Sequence, residues 1–132
     1  MSVKQITAGI ITHEGKVLIG QRKRGKAQEF LWEFPGGKLE EGETLEECLH
    51  RELLEELDLN ICVGKLFGTY LHDYSFGTIA LNVFYAECPN PEIQNVCEHE
   101  QVKWVYPAEL KEYEFAPADI PVVADYLKSL EI

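Results

Sequence analysis

The 132 residues are 45 % apolar and 27 % charged, the balance of a folded, water-facing globule, which excludes a disordered tail, a fibrous repeat or a disulfide-held miniprotein. Twelve Lys and Arg against 23 Asp and Glu give a net charge of −11. Such a surface repels nucleic-acid polymers but accepts one small phosphorylated ligand where a divalent cation or a local basic cluster intervenes. One domain over residues 1–132 is expected.

In chain order, MSVKQITAGI runs straight into a strand pattern over Gln5–Thr12, with no secretory signal ahead of it. His13-Glu14-Gly15 turns the chain into a second strand, Lys16–Gln21, and the pair reads as a hairpin. The basic run Arg22–Lys26 is read as a surface loop, the competing reading being a nucleic-acid or localisation patch. A short apolar piece, Phe30–Phe34, meets Pro35-Gly36-Gly37, a chain breaker. Thr44–Leu57 is the strongest helix, with Thr44 as N-cap and Glu47 completing a capping box. Strands follow over Val63–Tyr74, Thr78–Glu87 and Gln101–Val105. A short helix is expected over Pro107–Tyr113 and a closing helix over Pro117–Leu130, burying Val122, Val123, Tyr126, Leu127 and Leu130. Strands, one central helix, more strands and a last helix predict a mixed α/β sandwich rather than a regular parallel repeat.

Cys48, Cys62, Cys88 and Cys97 include no C-x-x-C pair, which argues against zinc. With no secretory signal they read as reduced, core-filling thiols of a cytoplasmic protein. The longest uncharged run, Ser75–Ala86, contains Gly77 and Asn82, so no membrane span is expected. The histidines His13, His50, His72 and His99 do not cluster in sequence and receive no catalytic role.

The central helix contains a contradiction. At 100° per residue, Leu45, Cys48, Leu49, Glu52 and Glu56 share one side, and Glu55 lies close by. The stripe that should face the core is therefore acidic at its C-terminal end, where the helix dipole also disfavours anions. A solvated acidic face is one explanation. The other is a hard cation such as Mg²⁺ or Mn²⁺, which takes clustered carboxylate oxygens.

Gly37, Glu43, Arg51-Glu52-Leu53, Glu55-Glu56 and Asp58-Leu59 resemble the Nudix box, G-x5-E-x7-R-E-U-x-E-E-x-G-U with U aliphatic, over residues 37–59. Asp58 stands where that pattern has glycine. The resemblance implies an α/β/α sandwich around a mixed sheet, with a central loop–helix–loop that binds Mg²⁺ and a diphosphate and with a C-terminal helix. It implies Glu52, Glu55 and Glu56 as metal ligands, the carbonyl of Gly36 or Gly37 as a further one, Arg51 as the residue orienting a glutamate, and Glu43 as support for Arg51 or the loop. Arg22 and Lys38 are candidate phosphate contacts.

Leu31-Trp32-Glu33-Phe34-Pro35-Gly36-Gly37-Lys38 and Phe115-Ala116-Pro117-Ala118-Asp119 resemble the MutT branch and the bacterial CTP pyrophosphohydrolases. That implies hydrolysis of a (deoxy)nucleoside triphosphate, a small-molecule substrate, to monophosphate and pyrophosphate, with Glu33, Phe34, Tyr74 and Asp119 beside it. The protein would act as a monomer or homodimer. Asp119 either reads the base or serves as the N-cap of the last helix; Phe34 and Tyr74 either pack on the base or fill the core. Glu98, or its neighbour Glu100, matches a loop glutamate that binds metal or assists water. Oxidised purine (8-oxo-dGTP) and cytosine nucleotides compete as substrates. Two further readings are an ADP-ribose or nucleotide-sugar hydrolase and a lesion-recognition domain without catalysis.

Overall fold

The computed structural model describes residues 3–96 and 98–131. Cys97, expected as a reduced thiol, lies outside the described residues. The chain forms β1 (Lys4–His13), β2 (Lys16–Arg22), β3 (Trp32–Glu33), β4 (Gly36–Lys38), α1 (Leu45–Leu57), β5 (Cys62–Tyr74), β6 (Gly77–Glu87), β7 (His99–Val105), a 3₁₀ turn (Pro107–Glu112) and α2 (Ile120–Ser129).

Strand β1 organises the sheet. It runs parallel to β6 from the pair Lys4–Ile79 to the pair Thr12–Glu87. On its other edge it meets β2 only at the hairpin, through Thr12–Val17 and His13–Lys16, and then meets β4 through Ile6–Lys38, Thr7–Gly37 and Ala8–Gly36. Strand β2 leaves β1 and pairs instead with β3 and β7. The sheet is therefore mixed, in the order β3-β2-β1-β6-β5, with β4 and β7 attached off that path. It splits where β1 and β2 diverge.

Side-chain alternation sends each strand's apolar residues to two opposite faces. On one face Ile11, Leu18 and Phe84 pack under Leu49, Leu53 and Leu57 of α1. On the other Ile10, Val17, Ile19 and Val83 pack under Val122, Tyr126 and Leu127 of α2. Full burial of each leucine of α1 is worth roughly 1.5–3 kcal/mol. This is the expected sandwich, a mixed sheet between helices.

Helix α1 begins as its sequence requires. The Thr44 hydroxyl accepts from the Glu47 N–H at 3.1 Å, and Glu47 Oε1 accepts from the Thr44 N–H at 2.8 Å. It ends on Asp58 in a left-handed conformation, φ 51°, whose N–H bonds the Leu54 carbonyl at 3.0 Å.

Several expectations need correction. Pro35-Gly36-Gly37 is not simply a breaker, because Gly36–Lys38 is a strand on β1. A Cβ on Gly36 would lie 2.0 Å from the Thr7 carbonyl oxygen, so a glycine is what lets this backbone pair. The last helix starts at Ile120, since residues 117–119 form a turn, and Leu130, at its C-cap, is exposed. Helix α1 buries Cys48, Leu49, Leu53 and Leu57, and Glu52 and Glu56 share that side, as expected, where the cleft reaches them. Cys48 and Cys88 are free and buried as expected, but Cys62 is exposed, at the start of a strand that forms one edge of the sheet. Among the described residues no helix is long and apolar enough to cross a membrane.

Candidate active site

A cleft of about 820 Å³ is lined from both sides of the split sheet, within the range of small-molecule sites. Ile6, Thr7 and Ala8 of β1 and Arg22 of β2 contribute, as do β3, β4 and Glu52 and Glu56 of α1. Its lining brings together the carboxylates Glu52, Glu56 and Glu98, the polar residues Arg22, Glu33 and His99, and Phe34, Tyr74 and Asp119.

Arg51 gathers the carboxylates of the helix and its leading loop. Its Nε and Nη2 donate to Glu43 at 3.0 and 2.7 Å, Nη1 donates to Glu52 at 2.9 Å and to Glu55 at 2.8 Å, and Nη2 reaches the Lys38 carbonyl at 3.1 Å. Hydrogen bonds from Arg51 hold the Glu43 carboxyl down at about 2. Glu43 also accepts from the Glu40 N–H at 2.8 Å, so it supports both the arginine and the loop. Glu55 is exposed and, unlike Glu52 and Glu56, does not line the cleft.

Glu56 differs from its neighbours. Its Oε1 is buried without a hydrogen-bond partner among the described residues. Burial, then the charges of Glu52, Glu33 and Glu98, push its carboxyl up to about 8. Burial also raises Glu52. A Cβ on Gly37 would lie 2.2 Å from the Glu52 carboxyl carbon, so this carboxylate sits directly on the glycine backbone. An orphaned buried carboxylate oxygen beside a second raised carboxylate, in an all-oxygen donor set, fits a hard divalent cation. The Gly37 carbonyl accepts from the Thr7 hydroxyl at 3.3 Å and the Cys48 thiol at 3.7 Å. Glu98 pairs with Lys26 at 3.0 Å. With Glu55 turned to Arg51 and Glu98 to Lys26, no three His, Cys, Asp or Glu among the described residues stand grouped as ligands.

Asp119 is a buried side chain of the cleft lining. Asp119 Oδ1 accepts from the Phe34 N–H at 3.1 Å. Burial first, then the Glu33 charge, push its carboxyl up to about 8. At neutral pH it therefore keeps its proton and can donate as well as accept, like an amide. Asp119 occupies the N-cap position of α2, but its side chain makes no capping bond. Phe34 is buried in the core and tilted against Phe115, at 5.5 Å between centroids, while its backbone N–H is committed to Asp119. Tyr74 lies parallel to Phe76 at 5.1 Å, and both line the cleft. Glu100 accepts from the Arg24 N–H at 3.3 Å and, unlike Glu98, does not line the cleft. Lys38 lines the cleft near Glu40.

Sequence reasoning missed His99, which is 5 % exposed and 3.0 Å from Glu33 through Nε2. It also missed Lys26 and the exposed Phe76 on the cleft wall. No spacing signal links His99 to a partner 66 residues away. For Phe76 the signal was present, an aromatic at the tip of a predicted strand–strand turn.

Residues 3–126 match the NUDIX domain. The chain is 35 % identical over 127 residues to the CTP pyrophosphohydrolase of Escherichia coli (strain K12), covering 96 % of this chain and 93 % of that one. It is 32 % identical over 130 residues to the 8-oxo-dGTP diphosphatase of Buchnera aphidicola subsp. Schizaphis graminum, covering 98 % of each. Among solved structures, the E. coli ORF135 protein superimposes with a TM-score of 0.83 at 35 % identity, over 97 % of this chain and 91 % of that one. The MutT protein of methicillin-resistant Staphylococcus aureus 252 superimposes with a TM-score of 0.76 at 34 % identity, over 97 % and 98 %. The clustered glutamates around Arg51, the split mixed sheet and these whole-chain likenesses agree, and the chain belongs to the Nudix hydrolase family.

Proposed function

We propose that this chain is a Mg²⁺-dependent nucleoside triphosphate pyrophosphohydrolase, with Mn²⁺ able to substitute. It releases the monophosphate and pyrophosphate, and its substrates are oxidised or otherwise modified nucleotides such as 8-oxo-dGTP. The observation that carries this reading is that one cleft joins the buried Glu56 carboxylate to the Asp119–Phe34 pair. A reacting phosphate chain at the first and a base at the second fit the two ends of a nucleotide.

Glu52 and Glu56 hold the cation, with Glu55, Glu98 and a carbonyl of Gly36 or Gly37 as further oxygen donors. When bound, the cation supplies charge stabilisation at the bridging and leaving oxygens and lowers the pKa of water. The protein's own groups do the rest. Arg51 and Glu43 keep Glu52 from moving away. Glu98, on a loop edge of the cleft, orients water. Arg22 and Lys38 receive phosphate oxygens.

Asp119, protonated, presents one donor beside one acceptor. The 8-oxoguanine edge offers the matching acceptor O6 and donor N7–H. Unmodified guanine offers two acceptors there. Cytosine also offers an acceptor, N3, beside the N4 amino donor, so a CTP or dCTP pyrophosphohydrolase is the second reading, favoured by the same side chain. The arginine and every box glutamate being present supports catalysis over a recognition-only domain. The proposal includes a single domain over residues 1–132, a cytoplasmic location and no nucleic-acid polymer as partner, which the net charge of −11 supports.

The test is turnover with Mg²⁺ on 8-oxo-dGTP, dGTP, CTP, dCTP, 5-methyl-dCTP and ADP-ribose, with pyrophosphate and phosphate assayed separately. Pyrophosphate release favouring 8-oxo-dGTP over dGTP supports the leading reading, and preference for cytosine nucleotides supports the second. Activity on ADP-ribose alone, or on none, rejects both.

A further inference from the structure

Strand β2 has a gap that another strand fills. Gly20 lies opposite Glu33 of β3 on one edge and Val102 of β7 on the other. Arg22, two residues on, lies opposite His99 across a bulge at Gln21/Arg22, and its Nη1 reaches Glu33 at 2.8 Å. A Cβ on Gly20 would lie 2.6 Å from His99 Cδ2, so the imidazole occupies the space that a side chain would take. Arg22, Glu33 and His99 converge above this glycine.

Their bonds form a chain with one open end. His99 Nε2 is 3.0 Å from Glu33 Oε2, and the other Glu33 oxygen accepts from Arg22 Nη1 at 2.8 Å. Arg22 Nε donates to the Ala27 carbonyl at 2.7 Å. His99 Nδ1 is buried without a partner among the described residues, so Glu33 is the polar attachment of this ring. Burial pushes the Glu33 carboxyl up, but the His99 hydrogen bond and the Arg22 charge outweigh it and hold it below its ordinary value. The guanidinium is thus held at two of its three nitrogens, on the cleft wall. A flexible arginine would lose rotamer freedom on meeting phosphate, whereas one already fixed loses little.

We infer that His99 is a positioning residue for substrate binding: through Glu33 it fixes the Arg22 guanidinium so that its remaining N–H donors face a substrate phosphate. The inference rests on the nucleotide hydrolase reading above and adds the device that orients its phosphate contact.

The experiment is a double-mutant cycle in steady-state kinetics with Mg²⁺ on 8-oxo-dGTP and CTP, using wild type, His99→Ala, Arg22→Ala and the double variant. His99→Ala should raise KM roughly 10-fold, with kcat changed by no more than about threefold. In the Arg22→Ala background it should add nothing. His99→Gln, which keeps a donor, should recover part of the loss, and Gly20→Ala, which crowds the ring, should reproduce it. An equal KM penalty with and without Arg22, or a fall in kcat alone, overturns the inference. The ¹H–¹⁵N signal of the Arg22 Nη1 group, which bonds Glu33, gives a readout independent of turnover. It should be sharp and slowly exchanging in wild type and broadened in His99→Ala. An unchanged signal overturns the inference even if the enzyme is active. Wild type inactive on both nucleotides overturns the proposed substrates, while the NMR result still decides the positioning.

Discussion

Gly37 and the Glu52 carboxylate share one space: a Cβ on the glycine would lie 2.2 Å from the carboxyl carbon and 2.5 Å from Oε2. The strand glycine and the helix glutamate are 15 positions apart, yet neither position is independent of the other. The Gly37→Ala variant should fold, because the clashing atoms are the far end of a side chain that can swing away. Its kcat/KM should fall on the order of 100-fold, since Glu52 leaves its place between Arg51 and the cleft. Kinetics beside a circular dichroism melt would check this, and near-wild-type turnover would remove Glu52 from the proposed machinery.

Glu55 and Glu56 adjoin in sequence but differ in surroundings, one exposed on Arg51 and the other reaching the cleft with an unpartnered oxygen. Glu56→Gln should lower kcat on the order of 10³-fold, and Glu55→Gln by about 10-fold or less. Added Mn²⁺ alone should raise the Tm of wild type and of Glu55→Gln but not of Glu56→Gln. Equal losses in the two variants would contradict the division drawn from their burial.

Asp119 couples stability to pH. Its carboxyl, pushed up by burial to about 8 from an ordinary 3.8, keeps a proton in the folded protein that the unfolded chain releases. Its contribution is fully present below about pH 3.8 and is lost as pH rises through about 8. Asp119→Asn removes this cost while keeping an acceptor for the Phe34 N–H. Its Tm advantage over wild type should grow from pH 4 to 8 and then level off. A constant difference across that range would show Asp119 to be ionised throughout.

Asp58 closes α1 at φ 51°, a conformation that suits glycine better than a residue with a Cβ. Asp58→Gly should stabilise the fold by about 0.5–1 kcal/mol and leave kcat unchanged. Denaturant unfolding would measure it, and a lower midpoint would mean that the aspartate side chain contributes something its backbone does not reveal.

Local patterns carried far in this protein because the forces behind them act over one or two helical turns. Thr44 and Glu47 cap α1 through atoms three residues apart, so spacing alone was enough to find them. The order of the elements likewise predicted the sandwich, whose two faces the structure shows buried under α1 and α2. Tertiary structure decided what depends on desolvation and on distant strands. Only pairing could show that β1 and β2 split, or that Gly36–Lys38 is a strand. Only burial could leave Glu56 without a partner and keep Asp119 protonated, since a sequence does not state how much water reaches a carboxylate. His99 was invisible until β7 laid it over Gly20 beside Glu33. A hydrogen bond between residues 66 apart is made by the sheet's register, and no local pattern encodes it.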